Sequence, residues 1–179
     1  MSKKVLIIST SLRGNSNSEA LAHEFAKGAK DAGHEVTEIT LRDKDIGFCK
    51  GCFACLKLGH CVIKDDAVEI ARMMHDTHVL VFATPIYYYQ MSGQMKTILD
   101  RANPLYGTDY VFTDVYFLSA AAEDEEGVDS RALNGLEGWI SCFDRAKLAG
   151  SVFAGGVNDA GEMADHPALK KAYEMGKAL

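Results

Sequence analysis

Several common functional signatures are missing from this 179-residue sequence. Its first polar loop carries no Gly-Lys-Ser/Thr ending, which excludes a nucleoside-triphosphate loop. It carries no Gly-x-Gly-x-x-Gly either, so a dinucleotide fingerprint is absent. There is no Ser-His-Asp arrangement and no His-Glu-x-x-His, and the six histidines form no ligand pattern. Basic runs are missing and the net charge is −6, which argues against a general nucleic-acid binder. No apolar stretch approaches the roughly 20 residues of a membrane-spanning helix. The N-terminal apolar run is followed by polar residues and no small-residue cleavage site, so it reads as a first strand and the protein as cytoplasmic. Repeats, low-complexity tracts and linkers are also lacking. A chain of this length then suits one domain over residues 1–179.

What is present begins with Lys4 to Ser18, KVLIISTSLRGNSNS. Val5 to Ile8 has the length and branching of a buried strand. A polar loop follows, rich in hydroxyls and amides, with Arg13 its only cation. Leu21, Ala22, Phe25, Ala26 and Ala29 then recur on one helical face. Ser16 and Glu19 have capping-box spacing and set the helix start near Ser16. The free N–H groups of a first helical turn, with the helix dipole, make an anion site. A Ser- and Asn-rich turn can also serve for capping alone.

The rest of the chain alternates strand and helix patterns. Strands are expected at His34 to Leu41, His78 to Ala83, Asp114 to Ala121 and Leu148 to Val157. Asp65 or Asp66 caps a helix running to about Asp76, with Val68, Ile70, Ala71 and Met74 inward. Ser92 caps a helix presenting Met95, Ile98, Leu99 and Ala102, ended by Asn103-Pro104. A further helix runs from about Asp129 to Arg145, and His166-Pro167 starts the last one. Five strands alternating with helices predict an α/β three-layer sandwich around a five-stranded parallel sheet. Right-handed crossovers favour the flavodoxin-like order 2-1-3-4-5, with a ligand at the carboxyl ends of strands 1 and 3. Two polar loops lie at those ends, after Ile8 and after Ala83.

The second loop reads TPIYYYQMSGQMK. Pro85 stiffens the strand exit, and Tyr87, Tyr88 and Tyr89 follow. Backbone N–H groups beside an aromatic wall suit a flat heterocycle with polar edges. Three tyrosines with Met91 can also pack a subunit interface, the two uses can coexist, and a homo-oligomer, most simply a dimer, is expected.

Residues Ser11-Leu12-Arg13-Gly14-Asn15-Ser16-Asn17-Ser18 resemble the Ser-Pro-Arg-x-x-Gly-Asn-Thr loop of NADPH-dependent FMN reductases and iron–sulfur flavoproteins. Thr84-Pro85-Ile86-Tyr87, then Ser92-Gly93-Gln94-Met95-Lys96 and Asp100-Arg101, resembles their Ser-Pro-Val-Tyr … Ser-Gly-Gln-Leu-Lys … Asp-Arg segment. The resemblance is strong over the first hundred residues and one of layout beyond. It implies that Ser11, Arg13, Ser16, Asn17 and Ser18 hold an FMN phosphate. It implies that Thr84, Pro85, Ile86, Tyr87 and Tyr88 line the flavin ring. The activity implied is an oxidoreductase passing hydride or electrons from NAD(P)H through FMN to a quinone, a flavin or a small electrophile. Chemistry sits at flavin N5, so no catalytic side chain is assigned. Leu12 replaces the family's Pro and Thr10 its Gly. Residues 119–123 lack paired glycines, so no site residue is carried from them.

Cys49, Cys52, Cys55 and Cys61 have the spacing C-x2-C-x2-C-x5-C, a compact run of the kind that wraps an iron–sulfur cluster. Iron–sulfur flavoproteins use such a run before an Asp-Asp helix start, as Asp65-Asp66 provides here. A 4Fe-4S cluster on these four residues, in an electron-transfer flavoprotein, is the alternative reading. Free thiols or a Cys49–Cys52 disulfide near the flavin edge is the default, and no metal ligand is assigned. Phe53 and Leu56 are expected to shield a cluster, and Cys142 to pack in the core.

Overall fold

In the computed structural model, which describes residues 1–179, five parallel strands form the central sheet. They are β1 (Lys4–Ser9), β2 (Glu35–Thr40), β3 (Val79–Tyr87), β5 (Asp114–Ala120) and β6 (Lys147–Ala154), in the order β2-β1-β3-β5-β6. A two-residue strand, β4 (Gln90–Met91), folds back antiparallel on β3. The parallel strands therefore have the flavodoxin-like winding, and β4 is an addition that the sequence pattern did not announce. Helices α1 (Asn17–Asp31) and α6 (Pro167–Lys177) cover one face of the sheet. Helices α3 (Asp66–His75), α4 (Gly93–Arg101) and α5 (Ser130–Ile140) cover the other, and a single turn, α2 (Cys55–Leu58), lies within the cysteine loop.

The strand sequences explain the layers. In β1, Leu6 and Ile8 enter one core while Val5 and Ile7 enter the other. In β3, Leu80 and Phe82 oppose Val79, Val81 and Ala83 in the same way. Residues apolar at both parities require cover on both faces, which right-handed helical crossovers supply. β2 sits at the sheet edge and keeps a polar side, as its alternation predicts.

The caps anticipated at Ser16, Asp65 and Ser92 form, and His166 adds a fourth ahead of Pro167. Ser16, Asp65, Ser92 and His166 accept from the N–H groups of Glu19, Ala67, Met95 and Ala168. The capping box is one-sided, because the Glu19 carboxylate instead pairs with Arg42 at 3.2 Å. In α3, Ile70, Ala71 and Met74 are buried as expected, but Ala67 takes the fourth buried place and Val68 is only half-buried. α5 stops at Ile140, short of Arg145, because the chain turns to bury Phe143 beside Trp139, Phe112 and Tyr110. Cys142 is exposed on that turn and is not in the core. Met91 is buried rather than part of an exposed rim.

α1 and α6 meet backbone to backbone. A Cβ on Gly28 would lie 2.0 Å from the Tyr173 carbonyl oxygen, and one on Gly176 would lie 2.1 Å from that of Phe25. Tyr173 adds a 2.9 Å hydrogen bond to Asp31. No helix is long and apolar enough to cross a membrane.

Candidate functional site

The strand order reverses between β1 and β3, so the connections leaving their carboxyl ends diverge to opposite faces and open a crevice there. Buried hydroxyls bind the two loops together. Thr10 Oγ1 donates to the Ala83 carbonyl at 3.0 Å, and Ser92 Oγ then donates to Thr10 Oγ1 at 3.0 Å. Thr84 Oγ1 donates to Ser92 Oγ at 3.2 Å and accepts from the Ser92 N–H at 3.1 Å. Ser92 Oγ also caps α4 through Met95 N at 3.2 Å. Ser92→Ala removes the cap and leaves two buried hydroxyls short of partners. Urea unfolding should show a loss of about 1–3 kcal/mol.

The crevice has a volume of about 430 Å³, within the range of small-molecule sites. The loop after β1 gives Ser11, Arg13, Ser16, Asn17 and Ser18 to its wall, and the end of β3 gives Pro85, Ile86, Tyr87, Tyr88 and Tyr89. Thr84 stands behind the wall, fully buried in the hydroxyl network. β3 runs on through Tyr87, and Tyr88 and Tyr89 form a two-residue turn into β4 with φ of 50° and 64°. Such turns normally take Asn-Gly, and each non-glycine residue there costs about 1 kcal/mol or more. The turn holds Tyr88 almost wholly exposed beside the opening.

Sequence reasoning missed the opposite wall. Ala120 ends β5, Ala121, Ala122, Glu123 and Val128 come from the segment after it, and Val157 and Asn158 come from the loop after β6. Both loops leave carboxyl ends of central strands, and that position was the available signal. They are tied by Val157 N–H to Ala121 O at 3.0 Å and by Gly156 N–H to Glu123 O at 3.3 Å.

At the polar end, α1 begins at Asn17, so the N–H groups of Asn17 and Ser18 have no acceptor within the helix. Ser11 Oγ accepts from Arg13 N–H at 3.2 Å, and Ser16 Oγ lies 3.4 Å from Ser18 Oγ. Asn17 Oδ1 is buried and has no partner.

Residues 3–154 match the NADPH-dependent FMN reductase family. The chain belongs to that family. It is an FMN-binding oxidoreductase of the NAD(P)H-linked kind. An iron-sulfur flavoprotein of Archaeoglobus fulgidus is 35% identical over 176 residues, 98% of this chain and 78% of that protein. One from Methanocaldococcus jannaschii is 35% identical over 102 residues, 57% of this chain and 53% of that protein. A solved NAD(P)H:quinone oxidoreductase from Methanothermobacter marburgensis shares the fold with a TM-score of 0.74. Its identity is 17%, over 99% of this chain and 98% of the other.

The crevice residues of this FMN reductase family member fit the cofactor. Free N–H groups, hydroxyls and one cation gather at one end, an aromatic wall stands at the other, and an orphaned acceptor lies at the polar end. The residue type at 10 also finds its reason. The Thr10 hydroxyl joins the two loops, through the Ala83 carbonyl and Ser92 Oγ.

The cysteines line a second cavity, also of about 430 Å³, which shares no lining residue with the crevice. Cys49, Cys52, Cys55 and Cys61 face it, together with Cys142, Trp139 and Tyr106. The loop therefore lies away from the crevice, because it folds over the start of α3 and the end of α4. Phe53 and Leu56 are exposed rather than packed as a shield. Gly51, Phe53 and Gly59 take left-handed conformations that curl the loop, and Asn103 Nδ2 donates to Cys55 Sγ at 3.1 Å. No three His, Cys, Asp or Glu side chains converge as ligands for a single metal ion.

The neck of this loop is a buried ion pair. Arg101 Nη1 and Nη2 lie 2.6 and 2.7 Å from Asp65 Oδ2 and Oδ1. The same guanidinium donates to Gly47 O at 2.6 Å and Ile63 O at 3.3 Å, and Gly47 N–H donates to Asp65 Oδ2 at 2.8 Å. Burial raises the Asp65 pKa, but the hydrogen bonds from Arg101 and the Gly47 N–H outweigh it and hold the carboxyl below its ordinary value.

Proposed function

We propose that the crevice binds one FMN, with its phosphate on residues 11–18 and its ring against Pro85–Tyr88, and that NAD(P)H reduces it there. The observation that carries this reading is the convergence of a partnerless helix N-terminus and an aromatic strand end in one cavity at the winding switch. Bound FMN supplies hydride acceptance at N5 and return of electrons to an acceptor. The N–H groups of Asn17 and Ser18, the hydroxyls of Ser11, Ser16 and Ser18, and the Arg13 cation hold its phosphate. Pro85, Ile86, Tyr87 and Tyr88 wall one side of the ring, and Ala120 to Ala122 leave room on the other. The acceptor is a small planar electrophile, a quinone or a free flavin, that enters past the exposed tyrosines.

FMN-loaded protein should oxidise NADH or NADPH in the presence of a quinone, at a rate proportional to bound FMN. Stoichiometric FMN without turnover would make the protein a flavin carrier instead.

A second reading rests on the cysteine cavity and on the relatives that are named iron-sulfur flavoproteins. Cys49, Cys52, Cys55 and Cys61 would hold a 4Fe-4S cluster, which supplies one-electron exchange when bound. Anaerobic protein whose iron and acid-labile sulfide disappear in Cys52→Ser would establish that reading; protein without either retains the first.

We also propose a homodimer. Tyr87, Tyr88 and Tyr89 are 52%, 97% and 46% exposed around the crevice mouth, an aromatic patch that suits a subunit contact. Light scattering at micromolar concentration should give twice the chain mass, and a monomer would refute it.

A further inference from the structure

Two side chains of the β1–α1 loop are held by a turn from the far end of the chain. Arg13 Nη1 donates to Asn158 O at 2.5 Å, and Asn17 Nδ2 donates to Asp159 O at 2.9 Å. The turn is braced by Glu162, whose Oε2 accepts from Asn158 N–H at 2.7 Å and Asp159 N–H at 2.9 Å. Those two N–H groups, Asp159 first, hold the Glu162 carboxyl below its ordinary pKa, so it stays ionised. Gly161, with φ of +88°, packs so close that a Cβ there would lie 2.7 Å from Asn15 Nδ2.

The Asp159 contact fixes the polarity of Asn17. A backbone carbonyl only accepts, so the NH₂ end of the amide must face it. The other end, Oδ1, is then the group left over, and it is buried without a partner. Asn17 is 7% exposed and lines the crevice. An ionised phosphate has no proton to give an acceptor, whereas a hydroxyl has.

We propose that Asn17 reads a hydroxyl of the ligand's polyol chain rather than its phosphate, and that the 158–159 turn braced by Glu162 sets this choice. The specificity-determining element is thus assembled across the fold, partly from residues beyond 154, where the family match ends. The inference rests on the crevice being the FMN site. It assigns the phosphate to the N–H groups, the serines and Arg13 alone, and gives Asn17 the ribityl segment between phosphate and ring.

Dissociation constants for FMN, riboflavin and lumiflavin, read by flavin fluorescence, test this. The three share the ring; riboflavin lacks the phosphate and lumiflavin lacks the polyol as well. Asn17→Ala should weaken FMN and riboflavin by the same factor, about tenfold, and leave lumiflavin within twofold. Glu162→Ala, an exposed substitution remote from the ligand, should weaken FMN and riboflavin together by about threefold. Glu162→Gln keeps an acceptor for the turn and should restore most of that loss. Loss confined to FMN would make Asn17 a phosphate ligand and overturn the inference. Equal loss of all three flavins, or of none, would overturn it as well. Wild-type protein that binds FMN and riboflavin equally would instead remove the phosphate assignment, a separate failure that the riboflavin and lumiflavin comparison does not share.

Discussion

Riboflavin should bind this protein at least tenfold more weakly than FMN. The two ligands differ only by the phosphate, so their ratio isolates the contribution of residues 11–18. A tenfold ratio is about 1.4 kcal/mol, less than one charge-assisted hydrogen bond typically contributes. The structure offers more than one: two helix-start N–H groups, three serine hydroxyls in the crevice wall, and Arg13. Arg13 is exposed, which discounts its charge through solvent screening, so Arg13→Ala should cost FMN only several-fold and riboflavin less than FMN. Raising ionic strength should narrow the FMN-to-riboflavin ratio, because the exposed arginine is screened more than the N–H groups in the crevice wall. Equal affinities in titrations of apo-protein would remove the phosphate from this loop.

Asp65→Ala should destabilise the protein by about 3–5 kcal/mol, a large fraction of the 5–15 kcal/mol typical of a domain. The side chains of Arg101 and Asp65 are 0% and 5% exposed, so deleting the carboxylate strands a guanidinium out of reach of water. It also frees the Gly47 and Ala67 N–H groups that the carboxylate accepts. Urea denaturation gives the magnitude. The pH dependence has a definite sign. Asp65 has a depressed pKa in the folded state, so its stabilisation is complete above the unfolded value of about 3.9 and is lost as pH falls through the folded value. The wild-type advantage over Asp65→Asn should shrink with acid below about pH 4 and stay flat above it. A stability difference under 1 kcal/mol at neutral pH would contradict this account of the loop neck.

The winding of the sheet was legible because Val5 to Ile8 and Val79 to Ala83 are apolar at both parities, which only central strands with two covered faces require. Helix starts were legible because Ser16, Asp65 and Ser92 have side chains that can satisfy the first free N–H groups, and because Pro167 suits a first helical position. The extension of β3 through Tyr87 was hidden, because its turn uses Tyr88 and Tyr89 where no glycine or asparagine marks a reversal. Thr84 looked like a wall residue, since its partners Thr10 and Ser92 are distant in sequence and their meeting is a product of the fold. The same applies to Asn158 and Asp159. Nothing local to Asn-Asp-Ala-Gly indicates that its carbonyls will reach residues 13 and 17. Cys142 looked apolar and internal, but the aromatic cluster claims its neighbour Phe143 and turns the thiol outward.

The glycine-mediated contact of α1 with α6 bears on how the protein is made. α1 carries the polar end of the crevice, yet the helix packed backbone to backbone against it follows every strand of the sheet in sequence. Contacts between segments so far apart in sequence close late and slowly. A nascent chain that has already formed β1, β2 and β3 still lacks the turn that orients Asn17 and the helix that clamps α1. The polar end of the crevice is therefore finished only by contacts with segments that follow every strand of the sheet in sequence.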